Sequence, residues 1–295
     1  MKEFNSQKKY SKKIGSVRAA FDRASESYDN YSVLQRIAAD RLIESLDQIK
    51  IKPTKILDLG SGTGYGAKIF HKRYRNAQIF QVDIAEKMLK TSKKKSPLFF
   101  SKDHFICADA NKLPFIDKHF DLIFCGSTIQ WCNDLDIVFD EVERTLKQDG
   151  MFLFSSFGPD SLIELRDCWS YVDDFVHVNA FVDMHDIGDA LVRNRLTSPV
   201  LNTEKIILTY DDCRQLMYEL KYIGANNVNS GRRKTLTGKN RLKKVFEHYE
   251  TYRENKKLPA TYEVIYGHAW KSQDKTNIQS VSLELVKEQL KKTVT

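Results

Sequence analysis

A doubly wound α/β fold, built on a mostly parallel seven-stranded sheet, is what this sequence predicts. Three observations carry the prediction. Between residues 55 and 155, five short apolar runs alternate with stretches of helical periodicity, the mark of successive βαβ units. The first run opens into Gly60-Ser-Gly62-Thr-Gly64, and the next two close on acids, Asp83 and Asp109. Two further apolar runs, at 203–210 and 261–266, follow without a long linker and complete the same sheet.

Taken in order, residues 1–13 are lysine-rich and aperiodic and read as a loose arm. Val17, Phe21, Ala24, Tyr28 and Tyr31 then fall at helical spacing. The polar knot Tyr28-Asp29-Asn30-Tyr31 is expected to divide this region into two helices. Ser32 would cap the second, with Gln35 as its reciprocal partner, and that helix should run to about Gln48 before Pro53 closes it. Strands are expected at 55–60, 77–83, 105–109, 120–125 and 150–155. Helices should fill 61–75, 85–95 and 135–146. Residues 159–196 read as acid- and histidine-rich helices, 203–210 as a strand, 211–223 as a helix and 261–266 as a strand. The polar tail 271–295 reads as disordered.

Composition narrows the function. Hydrophobic residues at 41% and charged residues at 29% describe a soluble globular chain with material for a sizeable core. No run approaches the roughly 18 apolar residues of a membrane span, and the N-terminus lacks the apolar stretch of a signal peptide. A cytoplasmic, non-membrane protein is therefore expected. Five cysteines, odd in number and without CxxC spacing, point to reduced buried thiols rather than disulfides or zinc, and no metal is expected. The net charge of +8 makes polyanions or acidic proteins plausible partners.

Ligands of an open parallel sheet bind beyond the carboxyl ends of its strands. There the first strand delivers Asp58 and the glycine loop, where backbone amides approach a ligand closely. Asp83 stands where a carboxylate accepts both hydroxyls of a ribose. Asp109, between small Ala108 and Ala110, suits an adenine edge, and Gly126-Ser127 closes the fourth strand beside it. Two cofactors fit this layout, a nicotinamide dinucleotide and an adenosyl methyl donor. Gly62-Thr-Gly64-Tyr-Gly-Ala67 matches G-x-G-x-x-A, but it starts two residues late and leaves Asp58 facing a pyrophosphate. That acid is favourable beside the ammonium of S-adenosylmethionine instead, so methyl transfer is the preferred reading.

Asp58-Leu-Gly-Ser-Gly-Thr-Gly64, Asp83, Asp109 and the run 120–127 resemble the motifs of class I S-adenosylmethionine-dependent methyltransferases. A narrower resemblance extends to Trp270. Val17-Arg-Ala-Ala-Phe-Asp-Arg-Ala with Tyr28, Ile129-Gln-Trp131, Phe157-Gly-Pro-Asp-Ser-Leu, His177-Val-Asn and Asp183-Met-His-Asp-Ile-Gly-Asp189 are similar to the malonyl-acyl-carrier-protein O-methyltransferases of biotin synthesis. So are Gly224-Ala-Asn, Leu236-Thr-Gly238 and Pro259-Ala-Thr-Tyr-Glu-Val-Ile-Tyr-Gly-His-Ala-Trp270. The resemblance implies a Rossmann-like core at 51–157, N-terminal lid helices within 1–50, an inserted helical cap at 158–200, and a C-terminal part at 201–270 completing the sheet. It implies methyl transfer to the free carboxylate of malonyl-acyl carrier protein, with S-adenosylhomocysteine as product and a methyl ester that primes pimeloyl and biotin synthesis. A monomer is expected.

Under this reading Tyr28, Gln35, Asp58, Gly60, Ser61, Gly62, Asp83, Ile84, Asp109, Ala110 and Ser127 hold the cofactor. Tyr28, Gln130, Trp131, Arg166 and His185 position the substrate, and no general base is needed for an acid already ionised at neutral pH. Four of these have a plainer reading: Tyr28 and Trp131 as core aromatics, Arg166 as a solvated helix residue, His185 as a structural hydrogen-bonder. The acid-free run Arg232, Arg233, Lys234, Lys239, Arg241, Lys243, Lys244 would dock the acidic carrier protein. The same run would serve an RNA methyltransferase, which the absence of an Asn-Pro-Pro-Tyr-type motif or RNA-binding module makes the weaker alternative. A non-catalytic cofactor-binding scaffold is the third.

Overall fold

A computed structural model describes residues 10–96, 103–233, 235 and 237–272. Three helical pieces precede the sheet: α1 (Ile14–Ala24), the single turn α2 (Tyr28–Tyr31) and α3 (Val33–Glu44). α1 buries Val17, Ala20 and Ala24, one helical stripe. The chain breaks earlier than expected, at 25–27. There Ser25 and Ser27 hydroxyls donate to the carbonyls of Asp22 (3.0 Å) and Ala24 (3.2 Å), and the expected knot itself forms the turn α2. The capping box is not formed either. The Ser32 hydroxyl accepts from Arg36 at 3.2 Å, while Gln35 keeps a buried, unpartnered Oε1. A 3₁₀ turn, Ser45–Gln48, ends the region where the sequence placed its end.

The seven strands are β1 (Lys55–Leu59), β2 (Gln78–Asp83), β3 (Asp103–Cys107), β4 (Phe120–Cys125), β5 (Leu146–Phe157), β6 (Leu196–Tyr210) and β7 (Leu258–Lys271). Their order is β3-β2-β1-β4-β5-β7-β6. β1 to β5 run parallel, and β7 is antiparallel to both neighbours. Central β1 and β4 are buried on both faces, which is why they read as continuous apolar runs. Helices α4 (Tyr65–Arg73), α5 (Glu86–Lys95) and α6 (Leu135–Thr145) are the expected crossovers.

The segment expected as a cap divides in two. α7 (Ile163–Ser170) and, from the irregular stretch 171–183, Val178 and Phe181 pack in one core with Tyr262 and Val264 of β7. α8 (Met184–Arg193) instead buries Ile187, Ala190 and Leu191 in the same core as β4, β5 and α6, and β6 begins at Leu196, inside the expected cap. α9 (Cys213–Tyr222) and α10 (Lys239–Tyr249) pack with α7 on β7 through Leu216, Val245, Tyr249, Trp169 and Tyr262. Among the described residues no helix is long and apolar enough to cross a membrane.

Candidate active site

The order β3-β2-β1-β4 places the topological switch point between β1 and β4, and a cleft of about 690 Å³ lies beyond their carboxyl ends. Its floor is Gly60, Gly62, Asp83, Ile84, Asp109, Ala110 and Ser127; Ile14, Val17 and Phe21 of α1 and Tyr28 of α2 roof it. Gly60 is obligatory on two grounds. Its φ is +73°, and a Cβ would lie 2.1 Å from the Thr128 hydroxyl. Gly62, also at positive φ, faces open space, so a ligand can approach its backbone.

Asp83 is held from behind. Oδ2 accepts from the amide of Gly62 at 2.9 Å and Oδ1 from that of Ala85 at 2.7 Å, and each oxygen keeps a further lone pair. Burial pushes its carboxyl up to about 6 against those two bonds. Asp109 turns Oδ1 to the amide and side chain of Asn111, both at 2.9 Å, leaving Oδ2 without a partner among the described residues. This donor set fits an adenosyl group: paired acceptors for a ribose, an open acceptor among small side chains, and a glycine backbone approachable by the rest.

A second cavity of about 800 Å³ abuts the first and shares the walls Phe21, Tyr28, Ser127 and Trp131. Phe21 and Trp131 meet edge to face at 5.2 Å, fixing that wall. The second cavity is otherwise apolar (Leu34, Phe157, Leu162, Leu165, Phe181, Leu220), with Gln35, Gln130, His177, Asn179, Glu219 and Asn227 as its polar points. Among the described residues no lysine or arginine lines it. The Tyr28 hydroxyl and the side-chain NH₂ groups of Gln35 and Asn179 make no hydrogen bond among the described residues, so three neutral donors remain for a ligand. Burial, reinforced by Asp83 and Asp29, pushes the Tyr28 phenol up, so it keeps its proton.

A methyltransferase-domain family model matches residues 57–154. The chain is 46% identical over 262 residues to the malonyl-[acyl-carrier protein] O-methyltransferase of Methylovorus sp. (strain MP688), covering 87% of this chain and 88% of that protein. It is 44% identical over 277 residues to the enzyme of the same name from Nitrosospira multiformis, covering 89% and 90%. The chain belongs to the malonyl-[acyl-carrier protein] O-methyltransferase family. The YcgJ protein of Bacillus subtilis shares the fold of this methyltransferase, with a TM-score of 0.57 at 18% identity over 80% of this chain and 99% of that one.

The methyltransferase brings most of the residues singled out from its sequence together. Tyr28, Gly60, Gly62, Asp83, Ile84, Asp109, Ala110, Ser127 and Trp131 line the first cavity. Asp58 and Ser61 lie just behind it. Asp58 is buried under the glycine loop, accepts the Ala67 amide at 3.1 Å, and is pushed up to about 7 by burial. Gln35 lines the second cavity, not the cofactor cleft assigned to it. Gln130 also lines it, its Nε2 donating to Ser127 O at 2.6 Å.

Two residues assigned to the substrate, His185 and Arg166, lie outside both cavities. The His185 side chain is 84% exposed and paired with Asp183 at 2.8 Å; α8 carries it away from both cavities. Arg166 lines neither, because its guanidinium ties down the carbonyls of Pro159 and Ser161. Of the docking cations, Arg233 is turned inward, 3.9 Å from Asp173 and over the Phe175 ring. Lys239, Lys243 and Lys244 are exposed on α10, Arg232 is exposed ahead of it, Arg241 is half-buried, and Lys234 lies outside the described residues. Cys107 is exposed, unlike the buried Cys125, Cys168 and Cys213.

The sequence reading gave no role to Asn179, Phe181, Glu219 or Tyr262, which line the acceptor side. Asn179 and Tyr262 sit within strings already noted for their resemblance. Nothing local marks Glu219, whose carboxyl burial pushes up while Tyr210 donates to it at 2.9 Å.

Proposed function

We propose that the chain transfers a methyl group from S-adenosylmethionine to the free carboxylate of a malonyl thioester borne by an acyl carrier protein. The observation that carries this is the shared wall. The two cavities adjoin at Phe21, Tyr28, Ser127 and Trp131, so a methyl donor held in the first and a carboxylate held in the second would meet at that junction. The names of the relatives supply the acceptor class.

When bound, the sulfonium cofactor supplies an electrophilic methyl group and leaves as S-adenosylhomocysteine. Asp83 would accept hydrogen bonds from the ribose hydroxyls, Asp109 would take the adenine edge, and the Gly60–Gly62 backbone would admit the amino-acid end. The acceptor needs no base, since a carboxylic acid of pKa about 4 is ionised at neutral pH. Alignment and exclusion of water are what the chain must provide, and the α1 roof with Phe21 and Trp131 provides both. Tyr28, Gln35 and Asn179 orient the carboxylate with neutral donors. A buried ion pair would stabilise the charged ground state over a transition state in which that charge is vanishing. Exposed cations on α9 and α10 offer a landing surface for an acidic carrier.

The test is transfer of labelled methyl from S-adenosylmethionine to malonyl-carrier protein, read as a base-labile methyl ester. Ester formation is expected on malonyl and not on acetyl carriers. A protein that binds the cofactor yet forms no ester on any malonyl thioester refutes the reading.

A further inference from the structure

A third cavity of about 1060 Å³ opens between α7 and the irregular stretch 171–183, with Tyr10 and Pro159 at its edge. His177, Val178, Asn179 and Phe181 line both this outer cavity and the acceptor cavity, so the two are separated by one layer of side chains. None of the four belongs to a helix or strand. His177 is the firmest part of that wall, stacked on Trp169 at 3.6 Å and bonded to Asp173 at 2.7 Å.

Arg166 lines the outer cavity with an unusual set of partners. Its guanidinium donates to two neutral carbonyls, Pro159 O at 2.8 Å and Ser161 O at 2.9 Å, and has no carboxylate at ion-pair distance among the described residues. Arg233 nearby differs, being matched by Asp173 and Phe175. A guanidinium carries five donors, so Arg166 keeps open N–H groups of the kind that bind phosphate oxygens in charge-assisted bonds. The basic run begins at this rim, because the Val176 amide donates to Gly231 O at 3.4 Å.

We propose that the outer cavity receives the phosphopantetheine arm of the acyl substrate. Arg166 binds its phosphodiester, and the wall at His177 and Asn179 passes the thioester to the inner cavity. This rests on the reading that the acceptor is a carried thioester. The phosphate is common to a carrier-bound arm and to coenzyme A. Asp174, on the same cavity and without a basic partner among the described residues, opposes the anion.

The protein loaded with S-adenosylhomocysteine is titrated with 4′-phosphopantetheine and with pantetheine by calorimetry. The phosphorylated arm is expected to bind about tenfold or more tightly, the worth of a charge-assisted hydrogen bond. Arg166→Met should erase that preference, Arg166→Lys should keep part of it, and Asp174→Asn should enlarge it. Equal affinity for both arms in the parent protein, a preference that survives Arg166→Met, or joint loss of both arms with S-adenosylhomocysteine still bound would each overturn the proposal.

Turnover separates this from the acceptor reading. The kcat/KM ratios of malonyl-carrier protein and malonyl-coenzyme A to malonyl-pantetheine should both collapse in Arg166→Met. A loss confined to coenzyme A, whose 3′-phosphate the carrier lacks, overturns the arm site. If the parent methylates no malonyl thioester yet prefers the phosphorylated arm, the acceptor reading fails and the arm site stands.

Discussion

Asp83 and Asp58 place the same side chain in two settings, and proton linkage tells them apart. Asp83 lines the cleft, its carboxyl pushed up to about 6 by burial. Accepting two ribose hydroxyls requires the ionised form, so ligand binding pulls this pKa down and expels a proton. S-adenosylhomocysteine binding at pH 6 should release protons, seen by calorimetry in buffers of different ionisation enthalpy. Its affinity should decline as pH falls through about 6. Asp83→Asn should suppress the release and weaken binding about tenfold or more, as loss of hydrogen bonds to a charged acceptor costs about 1.5–3 kcal/mol. Binding without proton release at pH 6 would contradict this assignment. Asp58 is buried one layer behind, at about 7. Its folded pKa exceeds the ordinary carboxyl value of about 3.9, so the folded state holds the proton more tightly than the unfolded chain. That contribution to stability is complete below about pH 4 and is lost as pH rises through 7. Asp58→Asn should therefore raise the apoprotein's Tm relative to the parent far more at pH 8 than at pH 5. A parallel shift at both values would show that ionisation is not what differs.

At the scale of elements, the roof decides access to the cofactor. α1 and α2 are fastened at several points: Asp22 accepts the Lys87 amide at 3.0 Å, Ser27 donates to Tyr222 O at 2.9 Å, and Tyr31 stacks on Tyr222 at 4.7 Å. Upstream, Lys12 forms a β-bridge with Asn229. Lid and acceptor side thus share α9 and the segment after it. Tyr222→Ala removes a stack of about 0.5–1.5 kcal/mol. It should speed amide exchange across 14–31 in the apoprotein, with S-adenosylhomocysteine restoring protection. Exchange confined to α9 would show the lid is held elsewhere. The break within this lid was illegible in the sequence because two serine hydroxyls decide it, whereas apolar spacing carries on past them. Edge strand β6 was legible only in its second half, since Thr197, Ser198 and Pro199 mask its start. β1 and β4 could be read outright, being buried on both faces. The floor of the first cavity was legible for a related reason: its residues follow strand ends within one contiguous stretch. The acceptor cavity was legible only at Tyr28, Gln130 and Trp131, because much of the rest comes from 34–35, 177–181, 219–227 and Tyr262, and only folding makes them neighbours.

For the whole molecule, the excess of +8 matters by its placement. Many cations are spent locally: Arg144 on Asp117 and Glu141, Lys147 on Asp121, Lys205 on Asp160. The groove between α9 and α10 differs, gathering Arg214, Lys221, Lys239 and Lys243 around Met217, Tyr218 and Phe246. Lys243 pairs with Glu247 at 3.6 Å on the same helix, but both side chains are exposed and the pair offsets little. A surface of this kind raises the encounter rate with an acidic protein and is screened once the Debye length shrinks below about 10 Å, near 0.1 M salt. Lys239→Glu combined with Lys243→Glu should cut kcat/KM for malonyl-carrier protein about tenfold at low ionic strength. The deficit should shrink as salt rises, and malonyl-coenzyme A should lose far less, because it has no protein surface to be steered. A deficit that persists unchanged in high salt would mean a contact in the bound complex rather than steering. An equal loss on coenzyme A would mean that the charges act on the substrate arm itself. The double variant therefore reads where the protein's charge excess acts: on the carrier's approach, in the docked complex, or along the arm that follows it in.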